Sequence, residues 1–253
     1  QSLRQNLLDA QPLLGEETIL VSLMKGVEKS SGLRMSEVVQ SVLDINPGHF
    51  AVASGPNLAL EIAQEQPTAA VVASSSWATA NRVASVASNK YFHTFINDDV
   101  IGTEFGGVLK NLVAVAVGIV DGVGYGENTK ASIITRGLAE ITRFAVAFGA
   151  KAETMAGLAG LGDLIATCES PLSRNNQAGR LLGQGASFSD VVETMQQTAE
   201  GLSSVGAILT LAEAKNVEMP IVSQVARVLD GTMDPREIAP QLTSADGVPV
   251  GEY

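Results

Sequence analysis

Two patterns of hydrophobic and polar positions follow one another along this chain of 253 residues. Over about the first hundred residues, short apolar runs rich in β-branched residues alternate with segments of helical periodicity. That alternation predicts βαβ units and a mainly parallel sheet. The predicted strands are Thr18–Met24, Phe50–Ala53, Ala69–Ala73 and Phe92–Ile96, and the predicted helices are Met35–Leu43, Leu58–Gln64 and Trp77–Ser88.

From about Gly102 onward the pattern predicts helices alone. Long segments rich in Ala, Val and Leu, with helical spacing, cover Glu104–Val120, Lys130–Phe148 and Gly201–Ala214. The change of pattern predicts an α/β domain over residues 1–101, followed by an all-α C-terminal domain over residues 102–253. No low-complexity linker marks the boundary between them.

Charge and cysteine content narrow the function classes. The formal net charge is −11 and the sequence pI is about 4.6, which argues against a protein that binds nucleic acid or an anionic membrane. An anionic ligand would therefore need local cations. The single cysteine, Cys168, excludes an intrachain disulfide, and His49 and His93 lack zinc-ligand spacing, so no metal site is predicted.

Neither a membrane span nor a signal peptide is evident in the sequence. The most apolar run, Phe105–Val120, carries Lys110 and Asn111 near its middle. The first residues mix charged with apolar side chains, unlike a secretory signal. These features favour a cytoplasmic protein.

Lys110 is the most informative single residue, because it is the only charge in the run FGGVLKNLVAVAVGIV. Desolvation disfavours an ammonium group, and a buried lysine is thereby suited to proton transfer. The alternative is a lysine that snorkels from one helical face, and the run alone favours neither interpretation.

Asp163 is the only charge in the glycine-rich run GLAGLGDLIATC. A buried carboxylate needs a partner, which a lysine or a polar substrate could supply. The alternative is an Asp that caps a helix after Gly162.

A polar cluster, Ser173 to Asn176, follows Pro171 at a predicted helix start. Free backbone N–H groups, the positive end of the helix dipole and the guanidinium of Arg174 all favour an anion such as phosphate. Taken alone, the cluster is better explained by an ordinary Ser cap beside a solvated Arg.

In the α/β half, Lys25 closes the apolar run TILVSLMK, and Gly55, Pro56 and Asn57 follow the predicted strand of HFAVAS. Parallel-sheet enzymes bind ligands beyond the carboxyl ends of their strands. An ordinary strand end and turn would give the same pattern. We interpret Cys168 as a small core residue, and Arg136, Glu140 and Arg143 as i,i+3 and i,i+4 pairs on a helix that belong to the scaffold.

Seven blocks of the sequence, in order, resemble successive blocks of bacterial-type NAD(P)-dependent glycerol-3-phosphate dehydrogenases. They are SLMKGVE, SGPNLALEIA, IGTEFGGVLKNLVAVAVGI, NTKASIITRGLAEITR, AGLAGLGDLIATC, SPLSRNNQAG and AEGLSSV. The resemblance spans nearly the whole chain. The LKN, GLGDL and SPLSRN blocks are specific as a set, whereas SGPN or LKN alone would be weak.

The resemblance implies reversible hydride transfer between NAD(P)H and dihydroxyacetone phosphate (DHAP), which gives sn-glycerol 3-phosphate for glycerophospholipid synthesis by a homodimer. It implies that Lys110 exchanges the proton at the carbonyl or hydroxyl oxygen and that Asp163 binds substrate and positions that lysine. The substrate-binding residues that it implies are Lys25, Gly55, Asn57, Lys110, Asp163, Ser173, Arg174 and Asn175, and the cofactor contacts are Lys25, Ala59, Arg174 and Glu200.

The resemblance also implies that residues 1–101 are the C-terminal portion of a dinucleotide-binding domain, a partial Rossmann-like parallel sheet. No strand in the chain is followed by a GxGxxG fingerprint. We therefore expect the chain to lack the N-terminal segment that carries the glycine loop in this family.

Two alternatives remain open at the level of sequence. A related dehydrogenase of the 6-phosphogluconate or β-hydroxyacid type would share this architecture but would need a carboxylate-binding site in place of SPLSRN. A catalytically incomplete fragment, with an all-α module for dimerisation or binding, would account for the absent glycine loop.

Overall fold

The structure, a computed structural model, describes residues 2–195 and 200–243, without the side chains of residues 200 and 241–243. By its internal contacts the chain forms two compact units. The first, here called the sheet unit, comprises Gln1–Gly107 and Phe148–Asp163, and the second, the helical unit, comprises Val108–Ala147 and Leu164–Tyr253. The predicted domain boundary between residues 101 and 102 stays a prediction.

The sheet unit contains a four-stranded sheet in the order β1-β2-β3-β4. The β1/β2 and β3/β4 pairs are parallel, as predicted, whereas β2 and β3 are antiparallel. Because the connection from β2 to β3 contains a helix of only five residues, it reverses the chain instead of carrying it back across the sheet. The strands are β1 Leu20–Ser22, β2 Phe50–Ser54, β3 Thr68–Ala73 and β4 Phe92–Asn97.

Helices cover both faces of this sheet. On one face, Phe50 and Val52 pack with Val38 and Val39 in a buried cluster, and on the other Ala84 packs with strand residues. The three helices predicted in this half are confirmed. The helices of the first hundred residues are α1 Leu3–Ala10, α2 Met35–Val42, α3 Ala59–Ala63 and α4 Trp77–Ala87.

Strand β1 is shorter than predicted. The prediction began at Thr18 and ended at Met24, but only the central residues pair with β2. The backbone N–H of Met24 donates to Ser22 Oγ at 3.2 Å, so the chain leaves the sheet after Ser22. This turn places Lys25 just beyond the strand.

The described residues of the helical unit form helices and connecting turns only, as predicted. Helix α5 begins in the sheet unit and is longer than its predicted span, Glu104–Val120. It starts earlier because the Asp99 carboxylate accepts the backbone N–H of Gly102 at 2.8 Å and caps the first turn. The remaining helices are α5 Val100–Val123, α6 Glu127–Ala147, α7 Ala152–Ala156, α8 Asp163–Glu169, α9 Arg174–Gly183, α10 Phe188–Met195, α11 Glu200–Ala214, α12 Pro220–Leu229 and α13 Ile238–Thr243.

Glycines bring α5 and α9 into backbone contact. A Cβ added to Gly118 would overlap the carbonyl of Asn176, and one added to Gly179 would overlap the carbonyl of Val115. Since larger side chains would separate the two helices, these small residues fix their close approach.

Helix α5 is also apolar enough and long enough to cross a membrane, the one described helix with both properties. Of its most apolar 18-residue window, 83% is buried inside the protein. A core helix passes the same test of length and composition, so the finding is weak evidence for a membrane span.

Candidate active site

The sheet unit holds a partly buried ion pair beyond the carboxyl ends of β1 and β2. Lys25 Nζ lies 2.6 Å from Asp163 Oδ2 and donates a second hydrogen bond to the carbonyl oxygen of Gly55 at 3.3 Å. Asp163, the first residue of α8, is only 2% exposed. A buried carboxylate is stabilised by such a cation. The structure thus brings together three predicted site residues that the sequence separates widely.

The backbone at Gly55 requires glycine. Its φ of +132° is unfavourable for other residues, and a Cβ there would stand 3.2 Å from Ala70 Cα and 3.3 Å from the Ala69 carbonyl oxygen. The turn that glycine permits leaves the Gly55 carbonyl within reach of the Lys25 ammonium.

Two buried polar side-chain atoms lie at the end of β2 and just after it. Ser54 Oγ and Asn57 Oδ1 have no hydrogen-bond partner among the described residues. Asn57 was predicted as a site residue, whereas Ser54 was not. A serine at the end of a strand is common, so its burial without a partner could not be foreseen from sequence.

Lys110 is buried in α5, which decides between the two interpretations that its apolar surroundings in sequence had left open. Its side chain is 6% exposed, and Nζ donates a hydrogen bond of 2.7 Å to Thr167 Oγ1. Thr167 lies one helical turn after Asp163 in α8, and sequence reasoning missed it. The spacing of four residues between Asp163 and Thr167, which places both on one face of a helix, was the signal that could have indicated it.

Cys168, the neighbour of Thr167, is a core residue, as interpreted. It is 4% exposed, and burial raises the pKa of its thiol to about 12, with a smaller contribution from Glu169. A thiol that stays protonated at neutral pH is a poor nucleophile.

Ser173, Arg174 and Asn175 begin helix α9. Ser173 is the N-cap, and its Oγ accepts the backbone N–H of Asn176 at 3.3 Å, so the capping interpretation of this serine is confirmed. The Arg174 side chain is exposed at the helix start. This arrangement combines backbone N–H groups with a guanidinium, the combination that binds phosphate.

Asn175 connects the start of α9 to the start of α11. Its Oδ1 accepts the backbone N–H of Gly201 at 2.9 Å. A Cβ on Gly201 would stand 2.8 Å from the carbonyl oxygen of Asn111, the residue after Lys110. The start of α11 therefore lies directly against α5.

Two further predicted cofactor contacts, Ala59 and Glu200, each lie at the start of a helix. Ala59 is the exposed first residue of α3. Glu200 is the first residue of α11, and its side chain lies outside the described part of the chain.

The predicted site residues thus fall into two groups. The sheet unit contains Lys25, Gly55, Asn57, Ala59 and Asp163, and the helical unit contains Lys110, Ser173, Arg174, Asn175 and Glu200. Over the described residues, no group of three or more His, Cys, Asp or Glu could hold a metal ion.

The paired lysine lies beyond strand ends, where open α/β sheets bind nucleotides, and a buried lysine is suited to proton transfer. Together they indicate the class of nucleotide-dependent dehydrogenases. Two family models agree with that class. The C-terminus model of NAD-dependent glycerol-3-phosphate dehydrogenase matches residues 99–240, and the N-terminus model matches residues 1–80. The chain belongs to the NAD-dependent glycerol-3-phosphate dehydrogenase family.

Individual relatives and a solved structure support this membership. Glycerol-3-phosphate dehydrogenase [NAD(P)+] of Leifsonia xyli is 70% identical over 252 residues, which cover 100% of this chain and 68% of the relative. The protein of the same name from Frankia casuarinae is 50% identical over 98% of this chain and 74% of the relative. The crystal structure of glycerol-3-phosphate dehydrogenase from Coxiella burnetii is 37% identical, with a TM-score of 0.89 over 95% of this chain and 73% of that chain.

Proposed function

We propose that this chain interconverts DHAP and sn-glycerol 3-phosphate by hydride transfer with NAD(P)H, as the names of its relatives indicate for them. The observation that carries the proposal is Lys110, an ammonium buried in an apolar helix and held by Thr167. Burial of this charge is costly, and proton transfer explains why it is retained.

The carboxyl end of β2 fits a nicotinamide nucleotide. Open α/β sheets bind dinucleotides beyond the carboxyl ends of their strands, and the exposed Ala59 begins α3 shortly after this strand end. NAD or NADP, when bound, supplies or accepts the hydride. The residues proposed to contact it are Lys25, Ala59, Arg174 and Glu200.

Lys110 is the proposed acid and base. During DHAP reduction its ammonium donates a proton to the carbonyl oxygen as negative charge develops there, and the neutral amine takes the proton back in the reverse direction. The bond to Thr167 Oγ1 restricts the position of Nζ. We assign Asp163 to substrate binding and to the positioning of Lys110, as the family resemblance implies; its carboxylate also binds the Lys25 ammonium.

The start of α9 is the proposed phosphate site. Ser173, Arg174 and Asn175 offer backbone N–H groups at the positive end of a ten-residue helix together with a guanidinium. Those local cations and dipoles would hold a dianionic substrate on a protein with a net charge of −11. Lys25, Gly55 and Asn57 are assigned to the remainder of the substrate.

We further infer that residues 1–101 and 102–253 are the functional domains and that the protein is a cytoplasmic homodimer. Family resemblance supports the dimer, and the acidic composition supports the inference that neither nucleic acid nor membrane is a partner. Elution volume with in-line light scattering would test the dimer.

The deciding assay is oxidation of NADH and NADPH by the purified protein with DHAP, compared with simple 2- and 3-oxo acids. Turnover of DHAP, inhibited by glycerol 3-phosphate but not by hydroxy acids, is the expected result. Turnover of the oxo acids instead would favour the related hydroxyacid dehydrogenases. Failure to bind either nucleotide would favour a binding fragment without catalysis.

A further inference from the structure

A buried serine hydroxyl lies at the end of β2. Ser54 is 2% exposed, and its Oγ has no hydrogen-bond partner among the described residues. Ser74, directly after β3, is buried as completely, but its Oγ donates to the Phe50 carbonyl oxygen at 2.7 Å. A buried polar group without a partner destabilises the fold, so a residue of this type is best explained by a ligand.

The Ser54 hydroxyl lies beside the Lys25 side chain. The point where a Cβ on Gly107 would stand is 3.2 Å from Ser54 Oγ and 3.2 Å from Lys25 Cγ. The two side chains therefore border the same point beside the Gly107 backbone. Ser54 also directly precedes Gly55, whose carbonyl accepts a hydrogen bond from Lys25 Nζ. The hydroxyl therefore belongs to the same cluster as the ion pair of Lys25 and Asp163.

The chemistry of the substrate indicates which group this cluster receives. DHAP carries a phosphate, a reacting carbonyl and a terminal hydroxyl. The start of α9 is assigned to the phosphate and Lys110 to the carbonyl oxygen. The terminal hydroxyl needs both a donor and an acceptor. An ammonium has three donors, of which Lys25 uses two for Asp163 and Gly55, and a serine hydroxyl can accept.

We propose that Ser54 Oγ accepts a hydrogen bond from the terminal hydroxyl of DHAP and of glycerol 3-phosphate, and thereby determines specificity for a hydroxymethyl ketone. The inference rests on the proposed function. A site that hydrogen-bonds a substrate hydroxyl rejects the analogue that lacks it, because the polar groups of the site are then left unpaired.

The test compares DHAP with acetonyl phosphate, in which a methyl group replaces the hydroxymethyl group. The native enzyme should prefer DHAP. Ser54→Ala should lower kcat/KM for DHAP about tenfold and leave kcat/KM for acetonyl phosphate nearly unchanged, so that discrimination between the two substrates falls by the same factor.

Ser74→Ala is the matched control, because it removes a buried serine hydroxyl that is already bonded within the same sheet. It should lower the midpoint of thermal unfolding and keep the native preference for DHAP. Ser54→Ala should keep or raise the native midpoint, since its hydroxyl makes no hydrogen bond within the described protein and its burial is unfavourable.

Three outcomes would overturn the proposal. An equal loss on both substrates would make Ser54 a structural residue. A raised KM for NAD(P)H, with discrimination unchanged, would assign its hydroxyl to the cofactor. If the native enzyme does not reduce DHAP at all, the proposed function fails as well, and that failure is visible before any variant is measured.

Discussion

Lys110 is a buried lysine in α5, and its proposed role in proton transfer can be tested directly. Lys110→Met keeps the length of the side chain but removes its proton. We expect kcat to fall by about 10²- to 10⁴-fold, because general acid catalysis contributes that much, while KM for DHAP changes little. Steady-state kinetics with saturating NADH would measure both parameters.

The matched control for this substitution is Lys151→Met. Lys151 lies at the surface, where its Nζ is 2.7 Å from Asp98 and its side chain is 54% exposed. Since exposed ion pairs contribute little to stability, this variant should behave like the native enzyme. Native turnover in Lys110→Met would contradict the acid/base assignment.

The pair formed by Lys25 and Asp163 should be strongly coupled. Removing only the lysine leaves a carboxylate that is 2% exposed, so Lys25→Met should cost about 1–3 kcal/mol of unfolding free energy after allowance for the partial exposure of the lysine. Asp163→Asn should also destabilise the protein. The double variant should lose less than the two single losses together.

Urea unfolding of the native protein, the two single variants and the double variant would give the coupling free energy between the two side chains. Additive losses would show that the two side chains contribute independently despite the 2.6 Å between Nζ and Oδ2. The activity of the single variants should fall in either case, because both residues are assigned to the substrate site.

At the scale of single residues, sequence reasoning identified which side chains are unusual but not which groups they contact. The apolar runs around Lys110 and Asp163 marked both charges as unusual, and both are buried. The contact of Asp163 with Lys25 spans 138 positions, and nothing local to either residue specifies it. Ser54 and Thr167 were missed because a serine at a strand end and a threonine in a helix are ordinary until their burial and their partners are known.

Helices α6 and α12 are joined through one carboxylate. Glu140 is 1% exposed, and its two oxygens accept the backbone N–H groups of Ile221 at 2.9 Å and of Val222 at 3.1 Å. The spacing in sequence predicted helical pairs of Glu140 with Arg136 and Arg143, and the charges of both arginines do act on this carboxyl. Its role as the cap of α12 was not predicted. Burial raises its pKa to about 7.

This raised pKa makes stability depend on pH. Because the folded protein holds the Glu140 proton more tightly than the unfolded chain, the contribution of this group to stability is complete below 4.5, the ordinary pKa of a glutamate side chain, and is lost as pH rises towards 7. We expect a loss of up to about 3 kcal/mol relative to Glu140→Gln, which does not titrate.

Thermal or urea unfolding of both proteins at several pH values between those two pKa values would measure the difference. The native protein should lose stability relative to the Gln variant with rising pH. Parallel pH profiles for the two proteins would show that the carboxyl titrates alike in the folded and unfolded states.

The contact between α5 and α9 should be intolerant of even one methyl group. A Cβ at residue 179 would overlap the Val115 carbonyl in the backbone of α5, so Gly179→Ala should cost about 1–3 kcal/mol through overpacking. Because α9 begins with the proposed phosphate site, KM for DHAP should rise as well. Unfolding and steady-state kinetics would measure the two effects.

Gly206→Ala provides the comparison for that variant. Gly206 lies inside α11 with no neighbouring atom within 4 Å of an added Cβ. Alanine should stabilise this helix by about 0.4–1 kcal/mol. Equal effects of the two substitutions would show that the helix contact does not depend on glycine.

At the scale of elements, periodicity predicted the existence and type of the main helices and strands. It misplaced ends where a single hydrogen bond decides them, as at Asp99 before α5 and Ser22 after β1. The antiparallel pairing of β2 with β3 could not be predicted, because strand direction depends on the path of the connection between them and not on the apolar pattern of either strand.

For the whole molecule, the change of pattern near residue 102 correctly predicted α/β structure followed by helices. Nothing in the apolar pattern indicated that the chain crosses between its two compact units three times, within α5, after α6 and at the start of α8. Hydrophobic periodicity marks what kind of element a segment forms. It carries no information about which unit a segment joins when both units contain helices.

These crossings restrict how genes for such proteins can exchange parts. A single recombination between two related genes near codon 107 would keep residues 1–107 of one parent and take residues 148–163 from the other. The lysine at position 25 and the aspartate at position 163 would then come from different parents, although they form one ion pair. Viable hybrids should therefore inherit both segments from one ancestor or preserve both charges, and the two positions are bound to evolve together.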